Sequence, residues 1–194
     1  MPPPDAILVA ALAIFLFLAL CTALVLVTGS LRRPANLPLL VAAGLVVLCV
    51  IVVAIAPQNV PALFGIVLAL LGVALGVLGG DPVARRVLTI ATHGSVKESA
   101  GGGILVFDAR APEHGETREV MRGGTTIGYL ERLAVVAALI AGFPEALAIV
   151  VALKGIGRFS ELATAAARER FIVGTLASLL WACLVGALVR LAIW

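Results

Sequence analysis

The fold is decided by the stretch Gly123–Phe159, GGTTIGYLERLAVVAALIAGFPEALAIVVALKGIGRF. It consists of two apolar runs joined by a glycine-phenylalanine-proline turn sequence centred on Phe143. Glu131 stands 12 residues before Phe143, and Lys154 stands 11 residues after it. If the chain folds back at this turn, the two opposite charges meet at one height, where each can neutralise the other in apolar surroundings. The stretch is therefore predicted to form a charged helical hairpin in a membrane.

A single straight span over Leu133–Ala152 is the alternative interpretation of the same stretch. It would place Pro144 in the middle of a helix, where proline breaks the hydrogen-bond ladder. It would also put the linker Lys154–Arg170, with its four basic residues, on the outer side of the membrane, against the tendency of basic loops to stay in the cytoplasm. The hairpin removes both conflicts. Its predicted arms, Thr125–Ala141 and Pro144–Phe159, are about 24–26 Å long, so they either span a thinned bilayer or re-enter it partway.

The composition of the whole chain is typical of a membrane protein. Its 194 residues are 62% hydrophobic and 13% charged, whereas ordinary soluble domains are roughly 45–50% apolar and about 25% charged. The apolar residues occur in blocks of about 20, which is the length of a helical span. Basic and acidic residues are interleaved between the blocks, so no nucleic-acid partner is expected. The lipid bilayer is the one partner that the composition requires.

Four blocks outside the hairpin are predicted to cross the membrane as full helices. They are Ala6–Val27, Leu37–Ala56, Ala62–Gly80 and Phe171–Val189. No basic residue precedes the first block, so it is predicted to be a retained span and not a cleaved signal peptide. Because the basic residues concentrate in alternate loops, we expect the N-terminus outside and the basic loops in the cytoplasm.

The predicted fold is an all-α polytopic membrane protein with four full transmembrane helices plus the hairpin. A three-span N-terminal bundle (1–80) is followed by a cytoplasmic insert (81–122), the charged hairpin (123–159), and a linker helix with the last span (160–194). In the insert, Val87–Thr92 and Ile104–Phe107 are predicted to be short strands. A small β-hairpin and a mobile loop both remain open for this segment.

Two series of small residues predict close helix packing. Gly72, Gly76 and Gly80 lie four residues apart on one face of the third span, and Gly174 and Ser178 repeat this spacing in the last span. Small residues at this spacing let two helices approach closely in a membrane. The partner of each face is either another helix of the same chain or a second copy of the protein.

The candidate site is a polar cluster within the hairpin. It contains Glu131, Arg132 and Lys154, extended towards the hairpin entrance by Thr126 and Tyr129. One interpretation is structural: Glu131 and Lys154 fix the register of the arms, while Arg132 extends to the cytoplasmic surface. The other interpretation is a polar cavity that binds an ion, a proton or a lipid head group.

No catalytic, metal or cofactor site is predicted. His93 and His114 are 21 positions apart in the insert, which is not the spacing of a metal site. The three cysteines all lie in apolar blocks and are interpreted as small buried hydrophobic residues. Zinc-protease, serine-hydrolase and phosphate-loop motifs are absent from the sequence.

Three sequence elements in the C-terminal part resemble a family of uncharacterised bacterial membrane proteins. The first is GTTIGYLER at Gly124–Arg132, similar to the family's G-x-x-I-G-x-L-E-R segment. The second is the lysine-bearing arm that ends in Arg158-Phe159, and the third is IVGTL at Ile172–Leu176, similar to an I-G-T-L opening of the last span. The resemblance covers about Gly123–Trp194. It implies a bacterial inner-membrane protein and no particular reaction.

Three functions are compatible with these features. The first is a non-enzymatic scaffold or accessory subunit that associates with itself or with another membrane protein. The second is a small ion or solute transporter or channel that uses Glu131, Arg132 and Lys154. The third is a lipid-head-group-modifying membrane enzyme, for which the sequence offers no metal ligand set or nucleophile.

Overall fold

The structure, a computed structural model, describes residues 4–32, 36–56, 59–91, 124–158 and 165–194. Within these ranges the chain forms six α-helices and no strand. The helices are α1 (Pro4–Arg32), α2 (Asn36–Ile55), α3 (Ala62–Ala91), α4 (Gly124–Ala141), α5 (Ala146–Arg158) and α6 (Ala165–Ile193).

Five of these helices, α1, α2, α3, α4 and α6, are long and apolar enough to cross a membrane. Five described helices thus have the length of a membrane span, whereas the sequence predicted four full spans and two shorter hairpin arms. Helix α5 has 13 residues and is about 20 Å long, shorter than the ~30 Å hydrocarbon core of a bilayer. The chain therefore has the architecture of a multi-pass helical membrane protein.

Helix α3 is longer than the predicted third span. It continues past Gly80 to Ala91, so the prediction of a strand over Val87–Thr92 is wrong for residues 87–91. The β-branched residues there favour a strand locally. The helix nevertheless continues, because each added residue extends an existing ladder, and an ion pair of 3.1 Å between Asp81 and Arg85 supports the next turn. The predicted strand Ile104–Phe107 lies outside the described residues.

Helix α6 lies at the centre of the molecule. It packs on α2, α3 and α4, and its contact with α3 is the most extensive between any two described helices. The main core is formed by α1, α2, α3 and α6, and its largest fully buried side chains include Leu16, Leu20, Leu68, Leu75 and Leu188. A second, smaller core lies between α4 and α6 and contains Val135, Val136, Leu179 and Ala182.

Helices α4 and α5 fold back on each other at Gly142. This glycine has a φ of +78°, a conformation that residues with a Cβ rarely adopt. The Gly142 N–H donates to the Leu139 carbonyl at 3.0 Å, and the Phe143 N–H donates to the Ala138 carbonyl at 2.8 Å. These two bonds form a Schellman motif, which satisfies the last carbonyls of α4 and ends the helix.

The hairpin tip, the α2–α3 turn and the chain's C-terminus lie at the same end of the bundle. The Val60 N–H donates to the Ala192 carbonyl at 2.9 Å. Arg190 donates from Nη1 to the Ile140 carbonyl at 3.3 Å, and its guanidinium stacks on the Trp194 ring at 5.1 Å. The start of α4, the end of α5 and the start of α6 consequently meet at the opposite end.

The small residues of α3 face α6 and α4 of the same chain. A Cβ added at Gly72 would collide with Val189, and one added at Gly79 would collide with the Trp181 ring. A Cβ at Gly76 would collide with Val136 of α4. The described structure therefore uses the glycine face of α3 for packing within the chain, which is the first of the two alternatives given above.

The small-residue series of α6 contacts two different helices. Gly174 lies against Leu88 of α3, where an added Cβ would approach Leu88 Cδ1 to 3.1 Å. Further along the same helix, Gly186 lies against Leu139 of α4, where an added Cβ would approach the Leu139 Cβ to 3.0 Å. Helix α6 can therefore pack closely between α3 and α4 because its small residues leave room on both sides.

Candidate functional site

The structure separates the predicted polar cluster into two groups. Glu131 and Arg132 are neighbours in α4, and neighbouring helical residues point about 100° apart. Glu131 faces α5, where it meets Lys154, whereas Arg132 faces α3 and α6. The cluster is therefore an ion pair on one side of α4 and a buried arginine on another side.

The ion pair joins the two arms of the hairpin. Lys154 Nζ donates to Glu131 Oε2, and the two side chains are 16% and 11% exposed. The Lys154 ammonium also lies 5.9 Å from the centroid of the Phe171 ring in α6, within reach of a cation–π contact. The pair is electrically neutral and largely shielded, as a charged pair in apolar surroundings has to be.

Arg132 is buried in the protein, so the structural interpretation in which it extends to the cytoplasmic surface is wrong. The residue is 4% exposed. Nε donates to the Val77 carbonyl of α3 at 2.7 Å, and Nη1 donates to Ser178 Oγ of α6 at 2.9 Å. The guanidinium also lies 5.1 Å from the centroid of the Tyr129 ring. Arg132 therefore links three helices at one point, which we call the three-helix junction.

Gly80 makes the three-helix junction sterically feasible. A Cβ at this position would collide with Arg132 Cδ and would lie 3.0 Å from Ser178 Oγ. The absence of a side chain at Gly80 lets the aliphatic part of Arg132 lie directly on α3. Gly80, which the sequence assigns to a packing face of the third span, thus determines the position of the Arg132 side chain.

Two backbone carbonyls of α3 accept hydrogen bonds from neighbouring helices. Val77 accepts from Arg132, and Leu75 accepts from Trp181 Nε1 at 3.0 Å. Pro82, inside the same helix, has no N–H to offer the Leu78 carbonyl, and its ring crowds that carbonyl. Val77 and Leu75 lie one and three residues before Leu78, so donors from α4 and α6 bond α3 beside the position that Pro82 weakens.

The other residues of the predicted cluster have different positions. Tyr129 is half-buried beside Arg132, as part of the three-helix junction, whereas Thr126 is exposed and belongs to neither group. Sequence reasoning assigned Ser178 to helix packing and missed its bond to Arg132. A serine in a series of small residues is also a hydrogen-bonding group between membrane helices, so this role was detectable.

The described residues offer no metal site, since no group of three or more His, Cys, Asp or Glu side chains converges among them. His93 and His114 lie outside the described residues. Cys49 is buried, Cys21 and Cys183 are half-buried, and all three are free thiols.

A surface groove of about 390 Å³ lies between α1 and the start of α3, at the end of the bundle that holds the hairpin tip. Its lining is apolar and includes Val9, Ile14 and Phe64. A groove of this character suits a lipid acyl chain. None of its lining residues is charged.

No protein-family model, curated protein or solved structure matches this chain. A functional assignment therefore depends on the residues of the chain and on their geometry. The geometry consists of a neutral pair within the hairpin and an arginine bonded to two other helices.

Proposed function

We propose that this chain is a bacterial inner-membrane protein that acts as a non-enzymatic scaffold or accessory subunit. The proposal is supported by the contacts that the polar side chains of the apolar helices make with each other. Glu131 and Lys154 bind each other, and Arg132 binds the Val77 carbonyl and Ser178. These contacts hold helices together. The bacterial inner-membrane assignment is supported by the resemblance of Gly123–Trp194 to a bacterial family.

The proposed topology has four full spans, α1, α2, α3 and α6, and a hairpin of α4 and α5 that returns to the cytoplasm. The shortness of α5 supports an arm that re-enters or crosses a thinned bilayer. Arg190 lies at the end of the bundle that holds the hairpin tip. Arg158, at the end of α5, and Arg170, near the start of α6, lie at the opposite end of the bundle. This distribution favours a cytoplasmic location for the opposite end.

A reporter protein inserted at Ala165, the first residue of α6, is expected to lie in the cytoplasm. Green fluorescent protein at this position should fluoresce, and alkaline phosphatase should be inactive. The same reporters placed after Trp194 serve as the control and should give the reverse pattern, because the C-terminus is outside in this topology. Active phosphatase at Ala165 would show that the hairpin is a single crossing.

The scaffold assignment predicts a stoichiometric membrane-protein partner, either a second copy or another chain. Purification from native membranes in a mild detergent, after crosslinking, is expected to yield one partner at a fixed ratio. An unrelated tagged membrane protein expressed at the same level controls for adventitious binding. A protein that purifies alone and mediates solute flux in proteoliposomes contradicts the scaffold assignment.

A small transporter or channel is the second candidate function, because α5 has close backbone contact with α4 alone among the described helices. Movement of α5 would open the Glu131–Lys154 pair without disturbing the main core. This function requires water between α4 and α5.

In a cysteine-free background, Val150→Cys, on the face of α5 towards α4, should stay unlabelled by a membrane-impermeant thiol reagent if the protein is a scaffold. Ile149→Cys, on the outer face of α5, is the matched control, and labelling at position 150 alone would support the channel.

A further inference from the structure

The groove between α1 and the start of α3, which we call the α1–α3 groove, follows a face of small side chains. Its lining on α1 includes Ala6, Ala10 and Ala13, which are three or four residues apart and therefore share one face of the helix. Ala10 is exposed. Pro61 and Phe64 form the opposite wall. The groove thus exists because α1 presents small residues where α3 begins.

The start of α3 packs on α6, and for this reason it does not close the groove. A Cβ added at Gly65 would approach Ile193 Cγ1 to 3.2 Å, and the Val60 N–H donates to the Ala192 carbonyl at 2.9 Å. Phe64, the residue before Gly65, lines the groove and is exposed. Atoms that line an empty space lose their van der Waals contacts. The α1–α3 groove therefore favours an apolar occupant from outside the described residues.

The position of the groove matches one leaflet of a bilayer. Ala6 and Ala62 are the first residues of two candidate membrane spans, so the groove begins at the membrane boundary. It extends along α1 from Ala6 to Ile14, which is eight residues or about 12 Å. This length is close to half of the ~30 Å hydrocarbon core. An occupant would therefore reach from the boundary towards the middle of the bilayer.

The width of the groove suits a single hydrocarbon chain. A volume of about 390 Å³ over a length of about 12 Å gives a mean cross-section of roughly 30 Å². An α-helix with its side chains is about 10–12 Å in diameter and has about three times this cross-section. The groove is therefore too narrow to seat a helix of a second copy or of another membrane protein.

We propose that the α1–α3 groove binds one acyl chain of a phospholipid from the leaflet at this end of the bundle. The lining residues are all apolar, so the chain is held by packing contacts while the head group stays at the membrane boundary. Recognition is therefore of the chain and not of the head-group charge. The lipid site goes beyond the scaffold assignment and does not depend on it.

The test is photo-crosslinking of the full-length protein in nanodiscs with a phosphatidylcholine that carries a diazirine in the upper half of one acyl chain. Mass spectrometry of peptides locates the crosslinks. Labelling at residues 9–14 is expected to be severalfold higher than at Ile51, an exposed apolar residue of α2 outside the groove. Ile51 lies four residues from the end of α2, as Ala10 lies four residues from Ala6, so the two positions have similar depths. Phosphatidylglycerol with the same probe chain should give the same enrichment.

Variants locate the site. Ala10→Phe is expected to abolish the enrichment, because the ring fills the groove from an exposed position. Ala54→Phe, at an exposed position of α2, is the matched control and should keep the full enrichment. Phe64→Ala removes one wall and should weaken the enrichment, which keeps the test valid if Ala10→Phe does not fold. The melting temperature of each variant in the same nanodiscs identifies the folded ones.

Three results would overturn the lipid site. The first is labelling at residues 9–14 that is no higher than labelling at Ile51. The second is an enrichment that persists unchanged in folded Ala10→Phe and Phe64→Ala. The third is an enrichment with phosphatidylglycerol alone, because a head-group charge would then be recognised by residues outside the groove.

Discussion

Replacing Gly79 with isoleucine is expected to prevent stable packing of α3 on α6. A Cβ at this position would collide with Nε1, Cε2 and Cζ2 of Trp181. The indole is rigid and fully engaged, since its Nε1 donates to the Leu75 carbonyl. Overpacking costs about 1–3 kcal/mol, and a buried donor left without its acceptor adds roughly 1–3 kcal/mol. We therefore expect a loss of about 3 kcal/mol or more in unfolding free energy.

Gly44→Ile is the matched control for this variant. Gly44 lies in a membrane-spanning helix of similar character, and a Cβ added there meets nothing within 4 Å. Both variants carry the same change in helix propensity, so the difference between them isolates the collision with Trp181. Melting temperature and gel-filtration profile in detergent are the measurements. Equal behaviour of the two variants would show that the α3–α6 contact does not have the described geometry.

Replacing Lys154 with methionine is expected to destabilise the hairpin strongly. The change leaves Glu131 without its partner in an environment where its side chain is 11% exposed. Breaking a buried ion pair by removing one member typically costs about 3–5 kcal/mol, because the remaining charge stays uncompensated. The measurement is the melting temperature of the purified variant, together with the yield of folded protein.

The double variant Glu131→Gln with Lys154→Met provides the decisive comparison. It removes both charges, so it should recover most of the stability that the single variant loses. Arg168→Met, at an exposed position of α6, is the control and should change the stability by no more than about 0.5 kcal/mol. A double variant as unstable as Lys154→Met would show that the charge left on Glu131 is not the cause. A Lys154→Met protein that is stable but has lost solute flux would favour the transporter.

Much of the hairpin was predictable because its determinants are local. The glycine and proline at the tip limit the backbone, and the nearly equal spacing of Glu131 and Lys154 from the turn predicts the pair that the structure forms. The length of α3 was not predictable in this way. Asp81 and Pro82 resemble the end of a helix in sequence, yet α3 continues through Pro82 to Ala91, because membrane helices tolerate an internal proline within a packed bundle.

By itself the sequence determined the helical, multi-pass architecture of the described residues, the turn at Gly142 and the charge pair, because these follow from block length, turn chemistry and matched spacing. Only the tertiary structure decided the position of Arg132. Its partners Val77 and Ser178 lie 55 and 46 positions away, and its orientation depends on the space that Gly80 leaves in another helix. Its burial in the three-helix junction follows from which helices become neighbours, and spacing along the chain does not encode that information.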